Sequence, residues 1–266
     1  MSLLLGQIFF PALCLGTGGL GFWQSKRYFE KIEMIEKQEA LLSAPPSSDL
    51  SSVDTSDGLS RRINLRGRYI HSKECVLGPR GPPPGALAQD GPMSGRGGGG
   101  LASSPQGFYV YTPLMLVDGG VVMVNRGWDS VSHENDSYNR PEGVVDLTAV
   151  TSSTEKGGMF SPPPISPFLK DNGRPQPTLL WLEEGAVRSV SGVDEAKEPR
   201  LRVFKEVARG GGGGGGGRRE LVRPTAEQAV EFKVGPETHA GYAATWFSLS
   251  AAGVIMTRKL LRTAKV

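Results

Sequence analysis

Thiols and imidazoles are scarce in this chain. Its 266 residues contain two cysteines, Cys14 and Cys75, and three histidines, His71, His133 and His239. No Cys-x-x-Cys pair or Cys/His cluster exists, which excludes a disulfide scaffold, a thiolate metal site and a thiolate copper carrier. Gly-x-Ser-x-Gly, His-Glu-x-x-His and calcium-loop spacings are also missing, so an enzyme is not expected. The eight glycines at 210–217 are not followed by Gly-Lys-Ser/Thr, which removes a P-loop. Gly95–Gly100 satisfies Gly-x-Gly-x-x-Gly in letters only, since no strand feeds it and no helix follows. Asn135-Asp-Ser137 matches the short glycosylation sequon and is read as unmodified.

A basic face is lacking too. The formal net charge is +3, from 30 Lys+Arg against 27 Asp+Glu. Six of the basic residues, Lys26, Arg27, Arg258, Lys259, Arg262 and Lys265, lie near the two ends, where 1–27 and 258–266 hold no acid. Taking those six from 30 leaves 24 basic residues against 27 acidic ones in 28–257, a net −3. Positive charge therefore marks the ends of two apolar segments and does not track a phosphate backbone, which excludes nucleic acid as a partner.

Glycine and proline, by contrast, are abundant at 37 and 20 residues, and they are clumped. Segments 81–107 and 208–219 hold much of the excess and read as low-complexity inserts in exposed loops of an otherwise globular protein.

Residues 1–25 carry no formal charge and end in Phe22-Trp23 before Lys26-Arg27. About 20 apolar residues cross a bilayer, so a first transmembrane helix is expected at 3–23. A cleaved signal peptide is the competing reading, disfavoured because no basic segment precedes the run and no Ala-x-Ala site follows it. Residues 238–257 form a second uncharged run ahead of a basic tail at 258–266. Ala240, Ala244, Ser248 and Ala252 recur there every fourth residue, a small-residue ridge suited to close helix packing. A buried helix of a soluble protein is the alternative. Two spans would put both termini on one side, the inner side by the larger basic cluster, with everything between them on the other.

Between these runs, 24–43 is expected to continue as a juxtamembrane helix ended by Pro45-Pro46, with 44–61 as a linker. The pattern then turns to strands over 62–236. Alternation places strands at Arg62–Ile70, Glu74–Leu77, Phe108–Val117, Val121–Asn125, Val144–Thr151, Leu201–Val207 and Val230–Val234. Asp118-Gly119 signals a hairpin between the third and fourth. Leu182–Ser191 reads as the one short helix. The expected fold is two terminal transmembrane helices flanking a mainly antiparallel β soluble domain, barrel-like or a sandwich.

His239 opens the second apolar run, with Tyr242 and Trp246 at i+3 and i+7 on the same helical face. Such an imidazole is either an axial ligand to haem iron or an ordinary polar residue at a membrane boundary.

Seven fragments in order give the chain a resemblance. They are Gly21-Phe-Trp-Gln24 with Arg27; Arg66-Gly-Arg-Tyr69 with His71-Ser-Lys-Glu74; Pro79-Arg80; Tyr109-Val-Tyr-Thr-Pro113; Val124-Asn-Arg-Gly-Trp128; Gly143-Val-Val-Asp-Leu147; and His239-x-x-Tyr242-Ala-x-Thr-Trp-Phe247-x-Leu-Ser250. Together they resemble the surfeit-locus family of cytochrome c oxidase assembly factors, called Shy in yeast. The resemblance implies a non-enzymatic protein of the mitochondrial inner membrane, multi-pass, with its β domain in the intermembrane space, or of a bacterial plasma membrane. It implies action on maturation of the first oxidase subunit at haem a insertion, with His239 as the candidate ligand. Tyr242 and Trp246, on the same helical face, are the accompanying site residues, and no other cofactor and no metal is expected. Oxidase subunits, other assembly factors and membrane lipid are the implied partners. A cofactor-free docking module for assembly intermediates and a membrane-tethered ligand sensor are the rival readings. No transit peptide is visible ahead of the first run, so either an upstream segment is missing, the run itself targets, or the source is bacterial.

Overall fold

The computed structural model describes residues 3–51, 53, 57–84, 106–130, 138–165, 177–196, 199, 201–208, 219–230 and 235–263. The glycine-rich inserts, the sequon at Asn135 and the Gly95–Gly100 stretch therefore fall largely or wholly outside the described residues. The chain divides into two compact units, one of residues 1–40 with 232–266 and one of residues 41–231.

The first unit is built from two helices, α1 (Leu3–Ser43) and α3 (Pro236–Thr263). Both expected spans lie in these helices, but neither helix is long and apolar enough to cross a membrane among the described residues. This overturns the two transmembrane helices, and with them the multi-pass topology. The physical reason is dilution. The 3–23 run includes five glycines, Pro11, Gln7 and Thr17, while 238–257 includes two glycines, three threonines, two serines and His239. Such residues contribute little or unfavourably to transfer into hydrocarbon.

The helix–helix contact also differs from the expected ridge. Ala240, Ala244, Ser248 and Ala252 are all exposed. The contacting stripe lies beside them, at His239, Ala243, Phe247, Ser250 and Gly253. Gly21 makes it possible, because a Cβ there would stand 2.7 Å from the Phe247 ring. Phe22 meets the same ring edge-on at 5.3 Å, and the Ser250 hydroxyl donates to the Cys14 carbonyl at 2.8 Å.

The second unit holds a seven-stranded sheet and one short helix. Its strands are β1 (Arg62–Tyr69), β2 (Cys75–Arg80), β3 (Gly107–Leu116), β4 (Val121–Ser130), β5 (Val144–Ser152), β6 (Thr178–Leu179) and β7 (Val203–Glu206), with α2 (Glu184–Ser191) between β6 and β7. Five strands close into a ring. β1 pairs antiparallel with β5, β5 with β7, β7 runs parallel to β4, β4 pairs with β3 across the Asp118-Gly119 hairpin, and β3 returns to β1. The closing seam joins Gly67, Arg68 and Tyr69 to Leu116, Met115 and Leu114. The 3₁₀ turn His71–Lys73 then carries the chain from β1 to β2, which occupies the other half of the same β3 edge and receives β6 in parallel. Barrel-like β structure was expected; the two parallel pairings were not.

Alternation explains the ring. Ile63, Leu65 and Tyr69 of β1 point inward and join Leu114, Leu116, Val122, Val124, Leu147, Ala149 and Phe204, side chains from all five ring strands. Full burial of one such aliphatic chain is worth about 1.5–3 kcal/mol. A second cluster seats Ala186 and Val187 of α2 on Cys75, Leu77, Met123, Leu179 and Val203. Where Val230–Val234 was expected as a strand, Gln228–Val230 is a 3₁₀ turn and 231–234 lies outside the described residues.

Candidate functional site

Two places gather the chain's chemistry, one in each unit. In the β unit, Glu74 sits at the entry to β2 with its carboxylate fully buried. Its Oε2 accepts from Thr112 Oγ1 at 2.9 Å and from Arg126 Nη1 at 3.0 Å. Its Oε1 accepts from Arg140 Nη2 at 2.9 Å and from the Tyr138 hydroxyl. Burial by itself would raise this carboxyl's pKa. The Tyr138 hydrogen bond and the two guanidinium groups outweigh burial and hold it below the usual carboxylate range.

Arg126, on the doubly buried β4, is only 1% exposed. It stacks over Tyr69 at 5.0 Å and also donates to the Asn139 carbonyl. His71 Nε2 lies 2.9 Å from the Pro141 carbonyl oxygen, which can only accept, so that nitrogen carries a proton; Nδ1 is 3.8 Å from Glu74 Oε2. Trp128 donates its indole N–H to the Arg80 carbonyl at 3.1 Å. This hub ties the entry of β2, β3, β4 and the 138–140 segment together through charge-assisted bonds, and Tyr69 of β1 joins it through the Arg126 stack.

Cys75 adjoins the hub and is wholly buried. Burial, with a smaller push from Glu74, raises its thiol to about 12, so almost no thiolate exists near neutrality. Alkylation of the native protein at pH 8 should leave Cys75 unmodified over a time that fully labels the unfolded chain, as read by mass spectrometry of the Cys75 peptide.

In the helical unit, His239 lies in the first turns of α3 and is half-buried. Its Nδ1 is 2.8 Å from Gln24 Oε1 on α1. Among the described residues no group is bonded to Nε2. Tyr242 is 54% exposed on the same helix, and Trp246 is half-buried. An imidazole with one ring nitrogen engaged by a neighbouring acceptor and the other open is suited to ligate iron, so the residues present fit a haem ligand. No group of three or more His, Cys, Asp or Glu that could hold a bare metal ion occurs among the described residues.

The fragments quoted from the sequence thus meet at these two places. Gly21-Phe-Trp-Gln24 meets the His239 fragment, Tyr69, Glu74, Thr112 and Arg126 meet at the hub, and Trp128 meets Arg80 in a separate contact. The sequence profile of the SURF1 family matches residues 10–251. The chain belongs to the SURF1 family. Among relatives, it is 36% identical to a "SURF1-like protein" of Drosophila melanogaster over 153 residues, 55% of this chain and 49% of that protein. It is 34% identical to "Surfeit locus protein 1" of Takifugu rubripes, over 55% of this chain and 61% of that one. For the human protein of the same name the figures are 33%, 54% and 48%. The chain spans about half the length of the curated SURF1 relatives it matches.

Of the site residues expected from sequence, His239, Tyr242 and Trp246 do share one helix. Gln24, Glu74 and Arg126 were in the quoted fragments without a role. Only Arg126 carried a signal, a charged side chain closing an apolar run in Val122-Met-Val-Asn-Arg126, whereas Gln24 and Glu74 stand next to polar and charged neighbours. Nothing in the spacing of 74, 126, 138 and 140 shows that they converge.

Proposed function

We propose that this SURF1-family chain is an assembly factor for cytochrome c oxidase. It acts at the mitochondrial inner membrane with oxidase subunits and other assembly factors, on maturation of the first subunit. We further propose that it takes part in haem a insertion by holding the haem transiently through His239. Family membership supports the general role, and the open Nε2 of His239 carries the haem reading. The bound haem would supply an iron centre that accepts an imidazole nitrogen. His239 would hold it, and the rings of Tyr242 and Trp246 offer apolar faces on the same helix.

The test is purification from cells that make haem a. Wild-type protein should carry a haem a spectrum, and His239→Ala should lose most of it. An unchanged spectrum and stoichiometry in His239→Ala removes the ligand assignment. Wild-type protein free of haem under those conditions leaves a cofactor-free docking role.

A further inference from the structure

Gln24 and His239 are 215 residues apart in sequence, yet Gln24 Oε1 lies 2.8 Å from His239 Nδ1. An amide oxygen has no proton to give. The hydrogen in this contact must therefore sit on Nδ1, and a neutral ring then carries its lone pair on Nε2. In an unconstrained imidazole this tautomer is the minor one, so holding it needs a fixed acceptor.

The helix pair fixes that acceptor. Gly21, one turn before Gln24, lets α1 approach the Phe247 ring, while Phe22 and Ser250 make further contacts across the pair. Gln24 is itself half-buried, so solvent does not readily replace its oxygen.

We propose that Gln24 is a positioning residue for His239: it locks the Nδ1–H tautomer and aims the Nε2 lone pair outward as a donor to haem iron. The inference rests on the haem reading for its purpose, but its structural claim concerns the haem-free protein. An outer group of this kind typically accounts for 10–100-fold in metal affinity.

The experiment uses the full chain, haem-free, with 15N-labelled histidine. His239 is assigned by the resonances lost in His239→Ala, a simple subtraction among three histidines. Wild-type His239 should show the Nδ1–H pattern. Gln24→Leu, similar in size but without an acceptor, should shift the ring toward Nε2–H. Gln24→Glu, which keeps an acceptor, should retain Nδ1–H. A wild-type ring that is mainly Nε2–H overturns the proposal, as does an Nδ1–H ring in a Gln24→Leu variant of unchanged helix content.

If Gln24→Leu does not fold, Gln24→Glu decides. On haem-loaded protein the anionic acceptor should make the imidazole more electron-rich and lower the haem midpoint potential, and an unchanged potential counts against the inference. Haem affinity of Gln24→Leu should fall 10–100-fold. Absence of haem from the wild type would sink the haem reading alone, because the tautomer result stands or falls without haem.

Discussion

Glu74→Ala is expected to destabilise the β unit by about 3–5 kcal/mol, the usual cost of removing one partner of a buried ion pair. The loss falls on Arg126. Arg140 is 24% exposed and can turn toward water, whereas the Arg126 guanidinium is 1% exposed and would remain desolvated beside Tyr69 and Tyr138. For a unit of this size, a loss of that order lowers the melting midpoint by roughly 10 °C. Thermal unfolding of the variant measures it. Glu74→Ala combined with Arg126→Met should recover much of the loss, because the stranded charge is gone. A double variant no more stable than Glu74→Ala would show that the cost lies elsewhere.

The same pair sets an acid limit. The folded pKa of Glu74 lies below its ordinary value, so its contribution is complete above roughly pH 4.3 and is lost as pH falls through the lower folded value. Glu74→Ala should therefore differ most from wild type above that pH, and the two acid-unfolding curves should converge below it.

Gly67→Ala is expected to open the barrel seam. Gly67 is the β1 residue paired with Leu116, and a Cβ there would lie 2.3 Å from the Met115 carbonyl oxygen and 3.1 Å from Leu114 Cγ. Backbone cannot step aside as a side-chain tip can, so one strand must move. Overpacking typically costs about 1–3 kcal/mol and occasionally more, and here it would disturb the β1–β3 ladder as well. The denaturant midpoint should fall, and amide exchange at the seam should accelerate more than at the β3–β4 hairpin. Wild-type protection at Arg68 and Tyr69 in the variant would refute this account.

How much of this was legible in the sequence depended on how local the signal was. β1 and β5 alternate and pair with their neighbours through ordinary antiparallel ladders, and Asp118-Gly119 marks its own hairpin, so those elements were readable within a residue or two. β4 was expected to stop at Asn125 but runs on to Ser130. It is buried on both faces from Val122 to Asp129, so period-two alternation fades where the polar Asn125 and Arg126 are themselves interior. β6 has two residues and exists only because β2 offers an edge. The ends were misread for the opposite reason. A count of uncharged residues looked like two spans, but glycine, serine and threonine set the true hydropathy. At the sites, a one-dimensional pattern could nominate His239; it could not show that Gln24 faces it, or that four distant side chains share the Glu74 carboxylate.

The position of β7 has a consequence for how the chain comes to be folded. β7 lies between β4 and β5, which are not paired with each other within the ring, and it is the last of the five ring strands in sequence. A growing chain can form the β3–β4 hairpin and the β1–β5 ladder early, but the ring stays open until residues 203–206 emerge. Until then β4 and β5 present raw edges of the kind that recruit strands from other molecules. Closure joins segments some fifty to eighty residues apart, a topology that slows folding. Any nascent or truncated chain ending before Val203 should therefore depend on chaperones and aggregate, even though it contains most of the interior side chains.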